Sequence, residues 1–432
     1  MTILVAGVLP ATSTDAGVSL TSASLRSVAP ERARLARQPA ADVFVATNGA
    51  NSNPCTRARP CRTFNRAYRV ARPGEVIEIA GGTYPSQTIQ VDRRKVTAKR
   101  NVVFRPARGE TVRINGDLTM YGSHAVFRGS RRPHNFKLHY LRSEATAGRE
   151  TSQHVAFVNL DGAGFLIGPN RNIKIKGGDW GPNTISPVGG ECNGDENKIG
   201  PDGNIPGQIP IHIVLDGLYI HDQNSTDLDA CHFGGLFWIS GRHMVLRRTR
   251  FSQNVVYDLQ VQNFTNAYPD VRGVIIENNW FGAPVEGLPD DTRNDRQQEL
   301  QMDPRHGCWR DWLIRFNSFY NGLALGFDGA PCFANVRVIG NVGDVDDCYA
   351  GAPGLKMAYN AWLGGRCRRT DALMSSLAYV RRTIGHENFH LTGGKAVNLV
   401  ASKRGDFALR RDIDGQRRPI GPRRDAGSDE KS

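Results

Sequence analysis

The chain has 432 residues, 47 of them glycine, and a formal net charge of +13. This length is enough for one large or two ordinary domains, and no apolar run approaches the roughly 18 residues of a membrane span. The sequence pI of about 9.6 favours polyanionic partners. The arginines are scattered along the chain and no zinc-finger, homeodomain or RNA-binding signature accompanies them, so no nucleic acid partner is expected.

The N-terminal segment has the composition of an export signal. In MTILVAGVLP an apolar stretch of about eight residues precedes small residues suited to signal-peptidase cleavage, although no positively charged segment leads it. Residues 1–41 are therefore interpreted as a signal peptide remnant and a flexible linker. We expect a secreted, extracellular protein.

The cysteines support an oxidising compartment. Their number is even and they form no C-x-x-C pair, which favours disulfide bonds over metal binding. The three short loops predict the pairs Cys55–Cys61, Cys308–Cys332 and Cys348–Cys367, which leaves Cys192 with Cys231. Sequence alone does not decide among the 105 possible pairings.

Residues 42–84 predict a short strand, a polar turn, a helix and a second strand. Thr63 is a plausible N-cap, and Pro73 with Gly74 ends the helix. One helix face is apolar and consists of Phe64, Ala67, Tyr68 and Ala71.

The segments DVFVATNGANSNPCT, PGEVIEI and GGTY resemble the first coil of secreted right-handed parallel β-helix proteins of the pectin-lyase-like superfamily. The resemblance implies an all-β fold over residues 42–402, a single right-handed parallel β-helix with a short N-terminal capping helix. It implies nothing about the reaction. The closing DIDGQRRP and DAGSDE also resemble the end of such proteins, so residues 403–432 are expected to form an irregular C-terminal cap and a flexible tail. TDALMSSLAYVRRTIG is expected to form a short covering helix.

Short apolar alternations recur between residues 172 and 343 and support the same architecture. Their starts differ by about 24 to 40 residues, as in coils of about 20 to 25 residues with inserted loops. They are NIKIKGGDW, HIVLDGLYI, HMVLRRTRF, GVIIENNWF, WLIRFNSFY and NVRVIGNVG. Asn279, Asn317 and Asn341 end three of them, and stacked at one corner they predict a ladder of side-chain amides.

A second strand follows each alternation, and its apolar positions are expected to fill the core. These are Leu236 and Trp238, Leu259 and Val261, Leu300 and Met302, Leu325 and Phe327, and Leu355 and Met357. Alternation then sends their polar neighbours outward into one column. The column contains Asp258, Gln260, Gln262, Glu299, Gln301, Asp303, Asp328 and Lys356.

Asp303 and Asp328 are the leading candidates for chemistry. On neighbouring coils their carboxylates are expected about 5 Å apart, so one holds a proton or both share a cation such as calcium. Arg305, His306 and Lys356 complete the predicted catalytic set, and Asp258, Gln262, Glu299 and Gln301 the predicted substrate contacts. The alternative interpretation is a groove floor of ordinary solvated side chains.

The segment HDQNSTDLDACHF is the second candidate. His221, Asp222, Asp227, Asp229 and His232 are dense enough for a metal site or an acid/base pair, but no ligand motif matches their spacing. A loop held by Asx turns and by Cys231 explains the same residues.

These observations favour a secreted monomer that binds or acts on an acidic polysaccharide. The resemblance implies the following roles if the protein is a lyase. Calcium at Asp303 and Asp328 holds the uronate carboxylate, Arg305 or Lys356 takes the C5 proton, and His306 assists. No cofactor other than calcium is expected. The competing hypothesis is a non-catalytic cell-envelope or matrix protein that binds glycans or forms a rigid rod.

Overall fold

The structure is a computed structural model that describes most of the chain beyond residue 38. The described residues are 39–143, 151–186, 197–200, 209–226, 234–255, 257–262, 271–283, 285, 300–303, 308–325, 332–345, 348–349, 351–402 and 404–431. For residues 262 and 300–303 only the backbone is described.

The described secondary structure consists of many short strands and few helices. The first part contains β1 Val43–Val45, α1 Phe64–Val70, β2 Val76–Ile79, β3 Gly82–Ile89, α2 Arg93–Val96, β4 Val102–Pro106, β5 Val112–Met120, β6 Ala125–Arg128, β7 Phe136–Ser143, β8 Gln153–Val158 and β9 Gly164–Ile167. The middle contains β10 Arg171–Lys176, β11 Asp179–Trp180, β12 Asn183–Ile185, β13 Lys198–Ile199, β14 Ile211–Asp216, β15 Tyr219–His221, β16 Gln223–Ser225, β17 Leu236–Trp238, β18 Gly241–Arg242, β19 Val245–Arg247, β20 Arg250–Ser252, β21 Leu259–Gln262, β22 Val271–Arg272, β23 Ile275–Glu277 and β24 Trp280–Phe281. The last part contains β25 Leu300–Asp303, β26 Trp309–Arg310, β27 Leu313–Arg315, β28 Ser318–Ala324, β29 Phe333–Ala334, β30 Val336–Ile339, β31 Val342–Val345, β32 Leu355–Ala358, β33 Ala361–Trp362, β34 Ala372–Leu373, β35 Tyr379–Arg381 and β36 Asn388–Leu391.

The strands wind as a parallel β-helix, as predicted. Every ladder between described strands is parallel except the one between β35 and β36. The first face follows the order β1-β2-β4-β6-β8-β10-β14-β19-β23-β27-β30-β32. The second face contains β11, β15, β20, β24, the start of β28, β31, β33 and β34, and the third contains β3, β5, β7, β9, β13, β17, β21, β25 and the end of β28. Because β28 pairs with β24 through Ser318 and with β25 through Leu323, it joins the second and third faces.

The core of the first face is one column of apolar side chains, one from each coil. The column consists of Ile77, Phe104, Phe127, Phe157, Ile175, Leu215, Leu246, Ile276, Ile314, Val338 and Met357. The rings of Phe104 and Phe127 stack with centroids 4.5 Å apart. Alternation along each strand therefore sends the neighbouring side chains outward.

The N-terminal cap forms as the sequence predicts. The Thr63 hydroxyl accepts a hydrogen bond from the amide of Arg66 at the start of α1. The predicted apolar face of α1 is buried against the first coils. After the helix, the amide of Glu75 donates to the carbonyl of Arg72, and Gly74 has a φ of +95°, so Pro73 and Gly74 occupy the central positions of a turn.

Three of the four predicted disulfides are confirmed. Cys55–Cys61, Cys308–Cys332 and Cys348–Cys367 have Cα separations of 4.6, 4.6 and 4.9 Å. Cys192 and Cys231 lie outside the described residues.

The predicted asparagine ladder is confirmed and is longer than expected. The amide group of Asn279 donates to Asn317 Oδ1 at 2.9 Å, and that of Asn317 donates to Asn341 Oδ1 at 3.0 Å. Asn341 continues to Asn360, whose backbone amide donates to Asp371 Oδ1 at 3.0 Å. Each asparagine of the ladder is fully buried, so these bonds satisfy polar groups that water does not reach.

The C-terminal region differs from the prediction in two respects. Residues 370–385 form no helix, because Tyr379 enters β35 and its hydroxyl contacts the carbonyl of Phe319 on the second face. The expected flexible tail is instead packed: residues 424–430 are buried, and the Arg418 guanidinium lies 3.3 Å from Glu430 Oε1. Tertiary packing therefore orders a segment whose composition alone is typical of a disordered terminus.

Candidate functional site

The register of the third face does not favour the predicted acidic pair. β25 aligns Leu300 with Leu323 of β28, whereas Asp303 beside Asp328 requires Leu300 beside Leu325. β28 also has a register irregularity between Ser318 and Gly322, in its ladder with β31. Asp328 lies outside the described residues, so the shared calcium site stays a prediction.

Lys356 lies on the first face and not on the third. Its strand β32 pairs with β30, which places Lys356 opposite Arg337. The predicted position of Lys356 in the column of Asp303 is therefore wrong. Alternation predicts which side of a strand is buried, but it does not tell which face of the coil the strand joins.

Asp258 is buried and does not face solvent. It is only 3% exposed, and Asn254 Nδ2 donates to its Oδ1 at 2.8 Å. Burial raises its pKa well above the ordinary value. Asp258 precedes β21, so it lies in a turn to which strand alternation does not apply, and its predicted contact with substrate is wrong.

The remaining predicted residues either belong to the third face or lie outside the described residues. The backbones of Gln262 and Asp303 are paired on the third face, as are those of Gln260 and Gln301, but Gln260 is buried and does not point outward as predicted. The residues outside the described ranges are Asp227, Asp229, His232, Glu299, Arg305, His306 and Asp328.

Arginines of several coils align at the edge of the first face. On successive strands, Arg171 pairs with Ile211, Ile211 with Arg242, Arg242 with Arg272, and Arg272 with Arg310. We call the four arginines the arginine column. Adjacent strands lie about 4.8 Å apart, so Arg242, Arg272 and Arg310 follow one another at that spacing.

The arginine column faces outward. Val271 and Trp309, which precede two of its members, are buried, so alternation directs Arg272 and Arg310 away from the core. Arg171 and Arg310 are exposed and the other two are half-buried. No acidic side chain among the described residues forms an ion pair with Arg242 or Arg272. Like charges at this spacing repel, so an anionic group placed across the arginine column would relieve the repulsion.

The second face carries a different arrangement, the His221 cluster, which consists of Asp179, Tyr219, His221 and Asp222. His221 Nε2 lies 2.8 Å from Asp179 Oδ1, and its Nδ1 lies 2.6 Å from Asp222 Oδ2. The Tyr219 ring stacks on the imidazole with centroids 4.4 Å apart. Burial lowers the pKa of His221, but the hydrogen bonds to the two carboxylates outweigh burial, and its pKa is raised overall.

In the His221 cluster both ring nitrogens face carboxylates, an arrangement that favours the protonated imidazole. The His221 cluster is open to solvent at Asp179, because the Asp179 side chain is 47% exposed, whereas that of His221 is 14% exposed. Ser252 on the next coil donates to Glu387 Oε2 at 2.8 Å, which extends the polar network toward the C-terminal cap. An oxygen atom that displaced Asp179 would receive a hydrogen bond from a cationic donor.

The sequence indicated His221 and Asp222 but not Asp179. Asp179 lies 42 residues earlier and meets His221 only through the pairing of β11 with β15. The arginine column was also missed, because loops of unequal length separate its members along the chain.

Comparison with solved structures finds proteins that are distantly similar to this chain. No protein-family model and no curated protein matches the chain. Pectate lyase Pel9A is similar in structure with 14% identity and a TM-score of 0.42, over 91% of this chain and 97% of that chain. A rhamnogalacturonan lyase matches with 12% identity and a TM-score of 0.32, over 79% and 91%. A PL6-family polysaccharide lyase from Pseudopedobacter saltans matches with 12% identity and a TM-score of 0.29, over 75% and 95%.

Sequence identity and structural similarity this low do not support an inference about activity. The class of the protein, a disulfide-bonded parallel β-helix protein, rests on the register of its own strands. Among the described residues, no helix is long and apolar enough to span a membrane.

Proposed function

We propose that the protein is exported and binds an acidic polysaccharide across the arginine column. The observation that carries the proposal is the alignment of Arg242, Arg272 and Arg310 on three consecutive coils. A polymer with an acidic group on each sugar presents charges at regular intervals, as the coils present guanidinium groups. Guanidinium groups bind carboxylates through paired, charge-assisted hydrogen bonds.

The net charge of +13 and the three disulfides support the proposal. The charge raises the local concentration of any polyanion, and disulfides persist in extracellular environments. Nucleic acid is a less suitable ligand, because the sequence lacks the signatures of the known binding modules.

We further propose that the protein acts on this polysaccharide as a lyase or a related enzyme. In this proposal Asp303, at the end of β25, and Arg305 and His306, which follow it, carry the reaction. Residues 304–308 connect β25 to β26, and β26 ends at Arg310 of the arginine column. The proposed catalytic segment and the arginine column are therefore close to each other in sequence.

The experiment offers the protein polygalacturonate, alginate and a neutral glucan, and measures both binding and unsaturated uronate product. The proposal predicts binding of at least one acidic polymer, no binding of the glucan, and product that disappears in Asp303→Asn. Binding without product would leave a non-catalytic glycan-binding protein. Absence of binding to every acidic polymer, or equal binding of the neutral glucan, would refute the proposed ligand.

A further inference from the structure

A second group of ionisable side chains lies where the C-terminal cap covers the second face. We call it the His390 cluster, and it consists of His390 on β36 with Asp412, Asp414 and Asp429. One ligand atom from each of His390, Asp414 and Asp429 lies within 4.8 Å of the others. His390 Nε2 is 2.5 Å from Asp414 Oδ2 and 3.9 Å from Asp429 Oδ1.

Both nitrogens of His390 face oxygen acceptors. Nδ1 contacts Asn388 Oδ1, and Nε2 contacts Asp414 Oδ2. A neutral imidazole carries one N–H, so one of these contacts would join two lone pairs. The geometry is satisfied either by a doubly protonated ring or by a cation between Nε2 and the carboxylates. If the Nδ1 proton points to Asn388, Nε2 has the free lone pair that a metal ligand requires.

Two carboxylate oxygens of the His390 cluster have no hydrogen-bond partner among the described residues. They are Asp429 Oδ1 and Asp412 Oδ2. Asp429 is 3% exposed and Asp412 is fully buried. A buried carboxylate oxygen without a partner is costly, because it has lost water and gained nothing in exchange.

The two arginines beside the His390 cluster, Arg250 and Arg418, do not donate hydrogen bonds to Asp412 Oδ2 or Asp429 Oδ1. Arg250 Nη2 donates to Asp414 Oδ1 at 2.7 Å, on the side away from His390. Arg418 Nη1 and Nη2 donate to the carbonyls of Asp425 and Gly427, Nη1 lies beside Glu430, and Nε has no hydrogen-bond partner among the described residues. An additional cation would therefore complete the site.

We propose that the His390 cluster binds one divalent transition-metal ion, with His390 Nε2, Asp414 and Asp429 as ligands and Asp412 beside them. A set of one imidazole and several carboxylates suits ions such as Zn²⁺, Mn²⁺ and Co²⁺. Ligand atoms about 2.0–2.2 Å from one ion lie up to about twice that distance apart, which the observed separations match with small movements. The ion would fasten β36, the turn at Asp412–Asp414 and the closing segment to one another. The proposal is independent of the polysaccharide.

The test is calorimetric titration of Zn²⁺, Mn²⁺ or Co²⁺ into the full chain, treated with chelator and with its disulfides intact. At least one metal is expected to bind with one site per chain and to raise Tm by several degrees at saturation. Asp429→Asn and Asp414→Asn are expected to weaken that binding at least tenfold. Asp414 is partly exposed, so its variant remains informative if Asp429→Asn does not fold.

The matched control is His221→Gln, because His221 is also flanked by two aspartates, but neither Asp179 nor Asp222 has a buried oxygen without a hydrogen-bond partner. Metal affinity in this variant is expected to equal that of the wild type. Absence of binding of all three metals by the wild type would overturn the proposal. The proposal would also be overturned if both aspartate variants bound the metal as tightly as the wild type, or if His221→Gln lost metal binding.

Discussion

His221 makes the free energy of unfolding depend on pH. The direction of this dependence follows from the raised pKa of His221. A histidine whose pKa is higher in the folded than in the unfolded chain stabilises the fold fully below the unfolded pKa of about 6.5. That contribution is lost as the pH rises through the folded pKa. His221→Gln is therefore expected to lower the free energy of unfolding more at pH 5.5 than at pH 9, as measured by urea denaturation.

The control for this prediction removes both carboxylate partners. In the background Asp179→Asn with Asp222→Asn, His221→Gln is expected to have the same effect at both pH values. A larger destabilisation at pH 9 than at pH 5.5 in the wild-type background would contradict the role given to His221.

At the scale of single residues, sequence reasoning located part of the His221 cluster and one pairing of the third face, but no member of the arginine column. It indicated His221 and Asp222, which are adjacent in sequence, and placed Gln262 and Asp303 in one column, which the register confirms. It did not find Asp179, and it misplaced Asp258 and Lys356. Both errors have the same physical cause: alternation gives the direction of a side chain within a strand, whereas turns and coil lengths decide its neighbours.

Among the elements, the asparagine ladder is the clearest case in which a side chain stabilises the coils. Asn317→Ala would remove the acceptor of the Asn279 backbone N–H and of one N–H of its side-chain amide, and the side-chain donor to the carbonyl of Ile276. We expect it to lower the free energy of unfolding by about 2–5 kcal/mol, because each buried polar group left unpaired costs about 1–3 kcal/mol. Denaturant unfolding measures this loss.

Asn115→Ala is the matched control, because Asn115 lies on β5 with an exposed side chain. Its effect is expected to stay within about 0.5 kcal/mol of the wild type. Equal stability of the two variants would show that the ladder does not stabilise the coils as described.

Elements with local signals were predicted well. Thr63 and the apolar face of α1 define a helix within a few residues of sequence, and Asn279, Asn317 and Asn341 mark strand ends. The C-terminal cap was predicted poorly, since its order comes from contacts with distant coils. Tyr379, for example, contacts Phe319, which is 60 residues earlier.

For the molecule as a whole, the fold was predictable and the distribution of charge was not. The arginines appear scattered in the sequence, because successive coils have unequal lengths: the steps of the asparagine ladder are 38, 24 and 19 residues. Only the parallel register reveals that Arg242, Arg272 and Arg310 lie side by side. A fixed repeat period would have made this alignment visible in the sequence.

The central claim is that the arginine column binds an acidic polymer, and the salt dependence of binding tests it most directly. For the acidic polymer that the wild type binds, we expect affinity to fall steeply as salt concentration rises, because bound arginines release counterions.

The decisive comparison is between two double variants. The first combines Arg242→Gln with Arg272→Gln. The control combines Arg108→Gln with Arg113→Gln, which removes the same charge from exposed positions elsewhere. The account predicts that the first pair weakens binding at least tenfold and makes the plot of log affinity against log salt shallower, by up to about one unit per arginine. The control pair is expected to change both quantities much less. Equal losses in the two double variants would contradict the account, because binding would then depend on net charge and not on the alignment of the coils.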